Sequence, residues 1–304
     1  MRKNQTNFIK NRSIVTCLIS AALAIASPAV AETQIDISYN TPSFKDKELV
    51  SEPVKIIVTY DKPEDYDAKL NNLQYQILYN NTPRLTSSTF TIIAGSVTLK
   101  DLDGNKTPEV IISTFSGGAH CCTNFTFYTW LNNRFVKTET GFLDGGGGRL
   151  EDLDGDAKLE FISSDNSFYY AFDSYAGSFP PSQIYAFNNG KLEDVTRKHV
   201  KYLRSQAWEM YQAFLQSKKQ GGSGNGILAG YAAQKALLGE FKQGWEFVLA
   251  NYDRTSDWGL TIYQGDREVG KYPDFPTALK TFLTQQGYLN RNMGLPLPTD
   301  NSID

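Results

Sequence analysis

One stretch of this sequence occurs twice, and the repetition constrains the fold more than any other feature. Residues 95–113, GSVTLKDLDGNKTPEVIIS, align without gaps with residues 146–164, GGGRLEDLDGDAKLEFISS. Each copy has the pattern of a strand, an acidic turn and a second strand, and a further hairpin follows at 125–140 and at 183–196. Because short strands usually pair with their sequence neighbours, the pattern predicts two antiparallel meanders of four strands each.

A partial third copy precedes these two units. Residues 73–88, LQYQILYNNTPRLTSS, resemble the second hairpin of each unit. Paired asparagines at 80–81, 132–133 and 188–189 fall where a tight hairpin turn needs residues that tolerate positive φ. The sequence therefore predicts two complete β units and one half unit.

Beyond the repeats, the residue pattern becomes that of helices. Apolar residues from Val200 to Phe214 recur every three or four positions, which predicts an amphipathic helix. Similar stripes in 227–238, 245–252 and 276–286 predict three more helices. The predicted fold class is α+β, with an antiparallel β-repeat domain followed by an α-helical domain.

The predicted domain boundaries follow these changes in pattern. Residues 51–195 form the β-repeat domain and residues 196–290 the helical domain, in which the glycine-rich segment 221–226 is expected to be a flexible joint. The polar residues 32–50 are expected to form a flexible lead-in. Residues 291–304 are expected to form a disordered tail.

The first 31 residues have the three parts of a secretory signal peptide. Four basic residues come first, an apolar stretch from Ile14 to Ile25 follows, and Ala29-Val30-Ala31 forms a small-residue cleavage site. No later stretch approaches the roughly 20 apolar residues of a membrane span. Removing residues 1–31 leaves 26 Lys and Arg against 33 Asp and Glu, a net charge of about −7, which disfavours nucleic-acid binding. We expect a periplasmic or extracellular protein with no transmembrane segment in its mature chain.

The acidic turns of the two copies place oxygen-bearing residues at alternate positions. Counting from the first aspartate, positions one, three, five and nine carry carboxylate or amide side chains, and position seven offers its carbonyl group. The predicted ligands are Asp101, Asp103, Asn105, Thr107 and Glu109 in loop 1 (residues 101–109), and Asp152, Asp154, Asp156, Lys158 and Glu160 in loop 2 (residues 152–160). Ca²⁺ takes about six to eight oxygen ligands, and it would offset the repulsion between clustered carboxylates. The sequence predicts Ca²⁺ as cofactor, against the alternative of Asp-Gly turns with solvated acids.

The loops differ from those of EF-hands. An EF-hand loop needs glycine at position six and a bidentate glutamate at position twelve, and helices flank it. Here position six is Lys106 or Ala157, glycine falls at position four, and the flanking segments are predicted strands. The pattern is that of a β-hairpin calcium loop.

At these residues the sequence resembles the FG-GAP/VCBS repeats of integrin-α-type β-propellers, whose blades carry D-x-[DN]-G-[DN]-x-x-x-[DE] loops. The resemblance implies propeller-blade-like meanders and calcium bound by the side chains named above. The name-giving Phe-Gly and Gly-Ala-Pro elements are replaced here by AGSV and GGGG. Two and a half units are fewer than the roughly four blades that close a small propeller, so an open or helix-capped array is the alternative.

Cys121 and Cys122 are adjacent and are the cysteines that would stay in the mature chain. In an oxidising compartment they are candidates for a vicinal disulfide. The alternatives are two free or separately buried thiols, or metal or redox chemistry together with His120. One histidine and two cysteines make an incomplete tetrahedral zinc set.

Motifs for catalysis are scarce in this sequence. It contains no G-x-S-x-G, H-E-x-x-H or Walker motif, and its two histidines lie in unrelated segments. The aromatic segment 165–181 suits either a stacking surface for a glycan or protein ligand or packing between elements. We expect an exported calcium-binding, non-enzymatic binding or structural module. The alternatives are a periplasmic or secreted hydrolase acting on glycans, and a redox or metal role for the cysteines.

Overall fold

The computed structural model describes residues 33–64 and 71–290. The predicted signal peptide and the predicted tail after residue 290 lie outside the described residues. Among the helices of the described ranges, none combines the length and the apolar character needed to cross a bilayer.

Strands fill the first part of the described chain and helices most of the rest. The strands are β1 (Gln34–Ser38), β2 (Phe44–Ser51), β3 (Val54–Tyr60), β4 (Leu73–Tyr79), β5 (Thr82–Thr89), β6 (Ala94–Lys100), β7 (Glu109–Phe115), β8 (Cys121–Leu131), β9 (Arg134–Asp144), β10 (Arg149–Glu151), β11 (Glu160–Ser164), β12 (Ser182–Asn188), β13 (Lys191–Asp194), β14 (Thr261–Gln264) and β15 (Arg267–Lys271). The helices are α1 (Val200–Lys219), α2 (Asn225–Leu237), α3 (Phe241–Asn251) and α4 (Phe275–Gln285). The α+β fold class is confirmed.

The strands before α1 form three antiparallel sheets. The first sheet has the order β2-β3-β4-β5, the second β1-β6-β7-β8-β9 and the third β10-β11-β12-β13, while β14 and β15 form a separate hairpin. The second and third sheets contain the two predicted four-stranded units. The predicted half unit, by contrast, is part of a complete meander, because β2 and β3 supply the two strands that the repeat pattern did not reveal.

The prediction of a flexible lead-in at 32–50 is wrong. This segment contains β1 and most of β2, and β1 pairs with β6 along its whole length. Ile35 and Ile37 are buried, with exposed polar residues between them. Because β1 and β2 are edge strands, one apolar face is sufficient, and polar side chains on the other face hide the strand pattern.

Each of the two repeat sheets is buried on both faces. In β7, Val110 and Ile112 belong to the core shared with the first sheet, whereas Ile111 belongs to the core shared with the third sheet. In β11, Phe161 faces the second sheet and Ile162 packs with the helices. Alternate side chains of a strand point to opposite faces, so each run of apolar residues serves two cores. The three sheets therefore stack face to face, and the helices cover the third.

Helix α2 lies at the centre of the helical region. Twelve of its thirteen residues are buried. The Gln234 side chain accepts a hydrogen bond from the Ser182 N–H at 3.0 Å and donates one to the Leu203 carbonyl at 3.1 Å. The sheet residues Ile162 and Ile184 share one core with the helices. The predicted boundary at residue 195 therefore does not separate two cores.

The glycine-rich segment 221–226 is a tight junction and not a flexible joint. Gly224 has a φ of 74° and precedes α2, and Asn225 is fully buried as the first residue of that helix. A Cβ at Gly226 would lie 2.5 Å from the Gly177 carbonyl oxygen. Close packing of α2 against the segment before β12, not chain flexibility, requires the glycine here.

Candidate metal centre

Loops 1 and 2 have the same backbone conformation. Gly104 and Gly155 at position four have φ of 76° and 84°, and Lys106 and Ala157 at position six both have φ of 68°. Position six is where an EF-hand loop has its glycine. The absence of glycine at position six argued against an EF-hand in the sequence. Lys106 and Ala157 nevertheless adopt the left-handed conformation at this position, which has an energetic cost for residues with a Cβ.

The carboxylates of loop 1 organise its own backbone. Asp101 accepts hydrogen bonds from the Gly104 N–H (2.9 Å, Oδ1) and from the Lys106 N–H (2.8 Å, Oδ2). Asp103 Oδ1 accepts from the Asn105 N–H at 3.2 Å, and Asn105 Oδ1 accepts from the N–H two residues further on at 2.7 Å. These bonds turn the side chains of positions one, three and five inward, as ligation of one ion requires.

Loop 2 repeats these bonds position by position. Asp152 accepts from the Gly155 N–H at 2.6 Å and from the Ala157 N–H at 3.0 Å. Asp154 Oδ1 accepts from the Asp156 N–H at 3.3 Å, and Asp156 Oδ1 accepts from the N–H two residues further on at 2.8 Å. The Gly155 N–H is the main cause that lowers the pKa of Asp152.

The glutamates at position nine begin the second strand of each hairpin and reach back across the loop. Glu109 Oε2 accepts from the Leu102 N–H at 2.9 Å, and Glu160 Oε2 accepts from the Leu153 N–H at 3.0 Å. Glu109 is completely buried, and Glu160 is 6% exposed. Each glutamate is therefore a buried residue that links the end of its loop to the second residue of the same loop.

Glu109 is the most unusual group in the two loops. Its Oε1 atom is buried and has no hydrogen-bond partner in the described part of the chain. Burial raises the pKa of Glu109 to about 8, and the Asp103 and Asp101 carboxylates act in the same direction. One oxygen from each of these three residues lies within 4.8 Å of the other two. Two ligands of one Ca²⁺ are separated by at most about twice the Ca–O distance of about 2.4 Å, so these oxygens fit a single ion.

Loop 2 offers a more solvent-exposed group of oxygens. One oxygen from each of Asp152, Asp154 and Asp156 lies within 4.8 Å of the other two. Asp154 and Asp156 are exposed, and Lys158 Nζ lies 3.6 Å from Asp156 Oδ2. Glu160 is not in this group. The predicted carbonyl ligands at position seven, those of Thr107 and Lys158, stay predictions in both loops.

The two loops lie side by side, which the sequence does not reveal. The Leu159 N–H donates to the Leu102 carbonyl at 3.0 Å, so a backbone hydrogen bond joins loop 2 to loop 1. A Cβ built on Gly104 would lie 3.7 Å from Lys158 Cγ, which places the Lys158 stem over loop 1. A cavity of about 490 Å³ separates loop 2 from the start of α1, where His199 lies. The candidate metal centre thus lies where a hairpin turn of the second sheet meets a hairpin turn of the third sheet.

Cys121 and Cys122, the disulfide candidates, form a disulfide in the structure. They begin β8, and the neighbouring His120 ring stacks on Tyr175 with 4.0 Å between ring centroids. The pair belongs to a different group of residues from the two acidic loops, so it adds no ligand to them.

Two rings of the aromatic segment 165–181 are buried in the core shared with the helices, and most of the others are partly buried. Phe168 and Phe172 are buried, and both contact Phe282 of α4 edge to face. Ser223 donates a hydrogen bond to Asp173 at 2.9 Å, which joins this segment to the junction before α2. These contacts give the segment a packing role, while Tyr170 remains half exposed.

Comparison with known proteins identifies relatives of this chain. Residues 203–287, from within α1 to just past the end of α4, match the model of the sll0997 C-terminal domain family. A probable thylakoid lumen protein of Synechocystis is 39% identical over 203 residues, which are 63% of this chain and 60% of that protein. The uncharacterized protein y4bJ of Sinorhizobium fredii is 38% identical over 193 residues, 60% of this chain and 30% of that protein. No solved structure matches the chain. The chain thus spans less than two thirds of both relatives.

Proposed function

We propose that this chain is an exported, calcium-binding structural or binding module without enzymatic activity, in which Ca²⁺ stabilises the β-repeats. The observation that carries the proposal is Glu109. In the described part of the chain its carboxylate is fully buried, has one oxygen without a hydrogen-bond partner and lies beside two further carboxylates, which is unfavourable in a metal-free protein. A divalent cation supplies the missing partner and offsets the repulsion.

The donor chemistry of the loops selects a hard cation. Carboxylate, amide and carbonyl oxygens are the ligands that Ca²⁺ prefers, and loop backbones of this kind adapt to its variable coordination. Loop 1 connects β6 to β7 and loop 2 connects β10 to β11, so each ion would hold one hairpin. Because a backbone hydrogen bond joins the loops, two ions would also reinforce the contact between the second and third sheets.

The resemblance to FG-GAP/VCBS repeats supports the same role. The helix-covered stack of three sheets suits the open-array alternative, in which calcium stabilises each unit. The binding role would then belong to the outer surfaces of the stack, towards a protein or glycan ligand.

The proposed compartment is outside the cytoplasm, in the periplasm or an equivalent lumen. The signal-peptide pattern in residues 1–31 and the similarity to the probable thylakoid lumen protein of Synechocystis support this placement. Such compartments supply oxidising conditions for the Cys121–Cys122 disulfide, and millimolar calcium suits loops of weak affinity.

Calorimetric titration of chelator-treated protein with Ca²⁺ tests the proposal. We expect two equivalents to bind, and Asp103→Asn or Asp154→Asn each to remove one of them. Asp266→Asn is the matched control, because it changes an exposed aspartate in the turn between β14 and β15. The absence of binding heat at millimolar Ca²⁺ would contradict the proposal, as would unchanged stoichiometry in both loop variants.

A further inference from the structure

The cysteine pair lies at the edge of a cavity that the calcium proposal does not use. Cys121 and Cys122 are half-buried, and Cys121 lines a cavity of about 480 Å³ together with His120 and Tyr175. The cavity opens to solvent. A reductant or a small ion can therefore reach the disulfide without opening of the fold.

A carboxylate lies beside the two sulfur atoms. Asp144 is the partner of Cys121 in the β8–β9 ladder, and one of its oxygens lies within 4.8 Å of both sulfur atoms. Asp144 is itself half-buried. The His120 carbonyl accepts a hydrogen bond from the Gly145 N–H at 3.2 Å, which holds the cysteine segment against the end of β9. Strand pairing, and not sequence proximity, thus places the third donor.

We propose that Cys121, Cys122 and Asp144 form a redox-gated site for a thiophilic divalent cation of the Zn²⁺ class. Two thiolates and one carboxylate supply three ligands, which leaves the fourth position of a tetrahedral site for water. The donors of this site are sulfur-rich, whereas loops 1 and 2 offer oxygen alone, so the two kinds of centre select different metals.

Oxidation state controls this site because only thiolates are strong ligands. In the disulfide the two sulfur atoms are bonded to each other and carry no charge. A dithiol reductant reduces the S–S bond with two electrons and two protons and itself becomes a disulfide. Metal binding then displaces both thiol protons. In the reverse sequence a small-molecule disulfide takes two electrons from the thiolates and two protons from solvent to become a dithiol, Cys121 and Cys122 become a disulfide again, and the cation is released.

Spectroscopy with Co²⁺ as the probe tests the proposal. A trialkylphosphine reduces the protein and becomes the phosphine oxide by taking oxygen from water, so it leaves no competing thiol. We expect the reduced protein to show a thiolate-to-cobalt charge-transfer band at one equivalent, and the oxidised protein to show none. Zn²⁺ should displace the cobalt and remove the band.

Variants separate this site from unspecific binding. Asp144→Asn should weaken cobalt binding by at least about ten-fold, because it removes one of the three protein ligands and loss of even an outer-shell partner costs about 10–100-fold. Glu139→Gln changes another carboxylate of β9 outside the group and should leave the affinity unchanged. Asp154→Asn, in loop 2, should also leave the band unchanged. Retention of the band in Cys121→Ser, or its absence in reduced wild-type protein with an intact melting transition, would overturn the proposal.

Discussion

Loop 1 and loop 2 share a motif, a backbone conformation and a set of hydrogen bonds, but they differ in their surroundings. Loop 1 ends on Glu109, which has no exposed surface and whose Oε1 has no hydrogen-bond partner among the described residues, and burial raises the pKa of that glutamate. In loop 2 the aspartates at positions three and five are exposed, and Lys158 lies beside one of them. Local sequence therefore sets the shape of such a loop, while its electrostatics depend on what packs around it.

The largest expected difference between the loops is in the pH dependence of stability without calcium. The folded-state pKa of Glu109 is about 8, above its ordinary value of 4.5, so the folded state binds more protons than the unfolded state between these values. The free energy of unfolding in chelator should therefore fall as pH rises, by roughly 3 kcal/mol from pH ~5 to ~8. Denaturant unfolding at a series of pH values measures this change in the free energy of unfolding.

Two isosteric variants make this test specific to loop 1. Glu109→Gln should remove the excess pH dependence, because an amide does not titrate but still accepts from the Leu102 N–H. Glu160→Gln should leave the pH dependence in place. Parallel pH profiles for wild type and Glu109→Gln would show that Glu109 does not titrate as proposed.

Calcium binding at each loop should increase the free energy of unfolding by nearly as much as the pH effect changes it. At a free concentration 100 times the dissociation constant, one site contributes about 2.7 kcal/mol to the free energy of unfolding. Asp103→Asn should remove the contribution of loop 1, and Asp154→Asn that of loop 2. Thermal unfolding with and without chelator measures both, and identical melting temperatures in the two conditions would contradict calcium stabilisation.

The calcium affinities of the two loops should respond differently to pH. Below pH ~8 a proton on Glu109 competes with the ion, so the affinity of loop 1 should rise about ten-fold per pH unit, or about 1.4 kcal/mol. Calorimetry on Asp154→Asn reports loop 1 alone, and calorimetry on Asp103→Asn reports loop 2 alone. Between pH ~6 and ~7.5 the calcium affinity of loop 2 should change little. Calcium affinities that rise equally with pH in both loops would contradict the proposed difference between the loops.

Replacing the residue at position six by glycine should have a smaller effect on stability. This effect should be the same in both loops, because it depends on backbone conformation alone. Lys106→Gly and Ala157→Gly should each increase the free energy of unfolding by about 0.5–1 kcal/mol, since glycine removes the cost of a positive φ. Ala94→Gly in β6 is the control and should have the opposite sign, because glycine weakens a strand. Destabilisation by both loop variants would argue against the left-handed conformation.

The smallest expected effect on stability comes from Lys158, whose side chain lies over loop 1. The Lys158–Asp156 pair is exposed, so Lys158→Gln should change the free energy of unfolding by less than about 0.5 kcal/mol. It should nevertheless increase the calcium affinity of loop 2 a few-fold, because a competing positive charge is removed. The gain should disappear in ~1 M salt, where such charges are screened. A gain that persists in high salt would point to a non-electrostatic cause.

Much of the β region could be predicted because its signals are local. The hairpin predicted at 73–88 is formed by β4 and β5, and the strand–turn–strand pattern predicted at 95–113 by β6 and β7, since apolar runs bounded by turn residues define these strands. Two of the three asparagine pairs adopt positive φ as predicted, at 80–81 and 132–133. In the third turn, positive φ falls on Asn189 and Gly190, because Asn188 still pairs with Lys191 in the ladder.

The features that were missed depend on partners distant in sequence. β1 becomes a strand through pairing with β6, more than fifty residues later, and its own pattern is too short to indicate this. The tight junction at 221–226 depends on how closely α2 approaches the segment before β12. Glycine-rich composition describes both flexible linkers and close packing, so only the packed structure distinguishes them.

The sequence by itself determined the two acidic hairpins, the succession of a β region and a helical region, and the set of oxygen atoms available to an ion. These follow from residue spacing, because side-chain direction along a strand or turn is a local property. The tertiary structure alone decided that the loops touch, that Glu109 loses all contact with water, and that Asp144 lies beside the cysteine pair. Burial and long-range contacts arise when separate sheets stack and strands pair, and no short stretch of the chain carries that information.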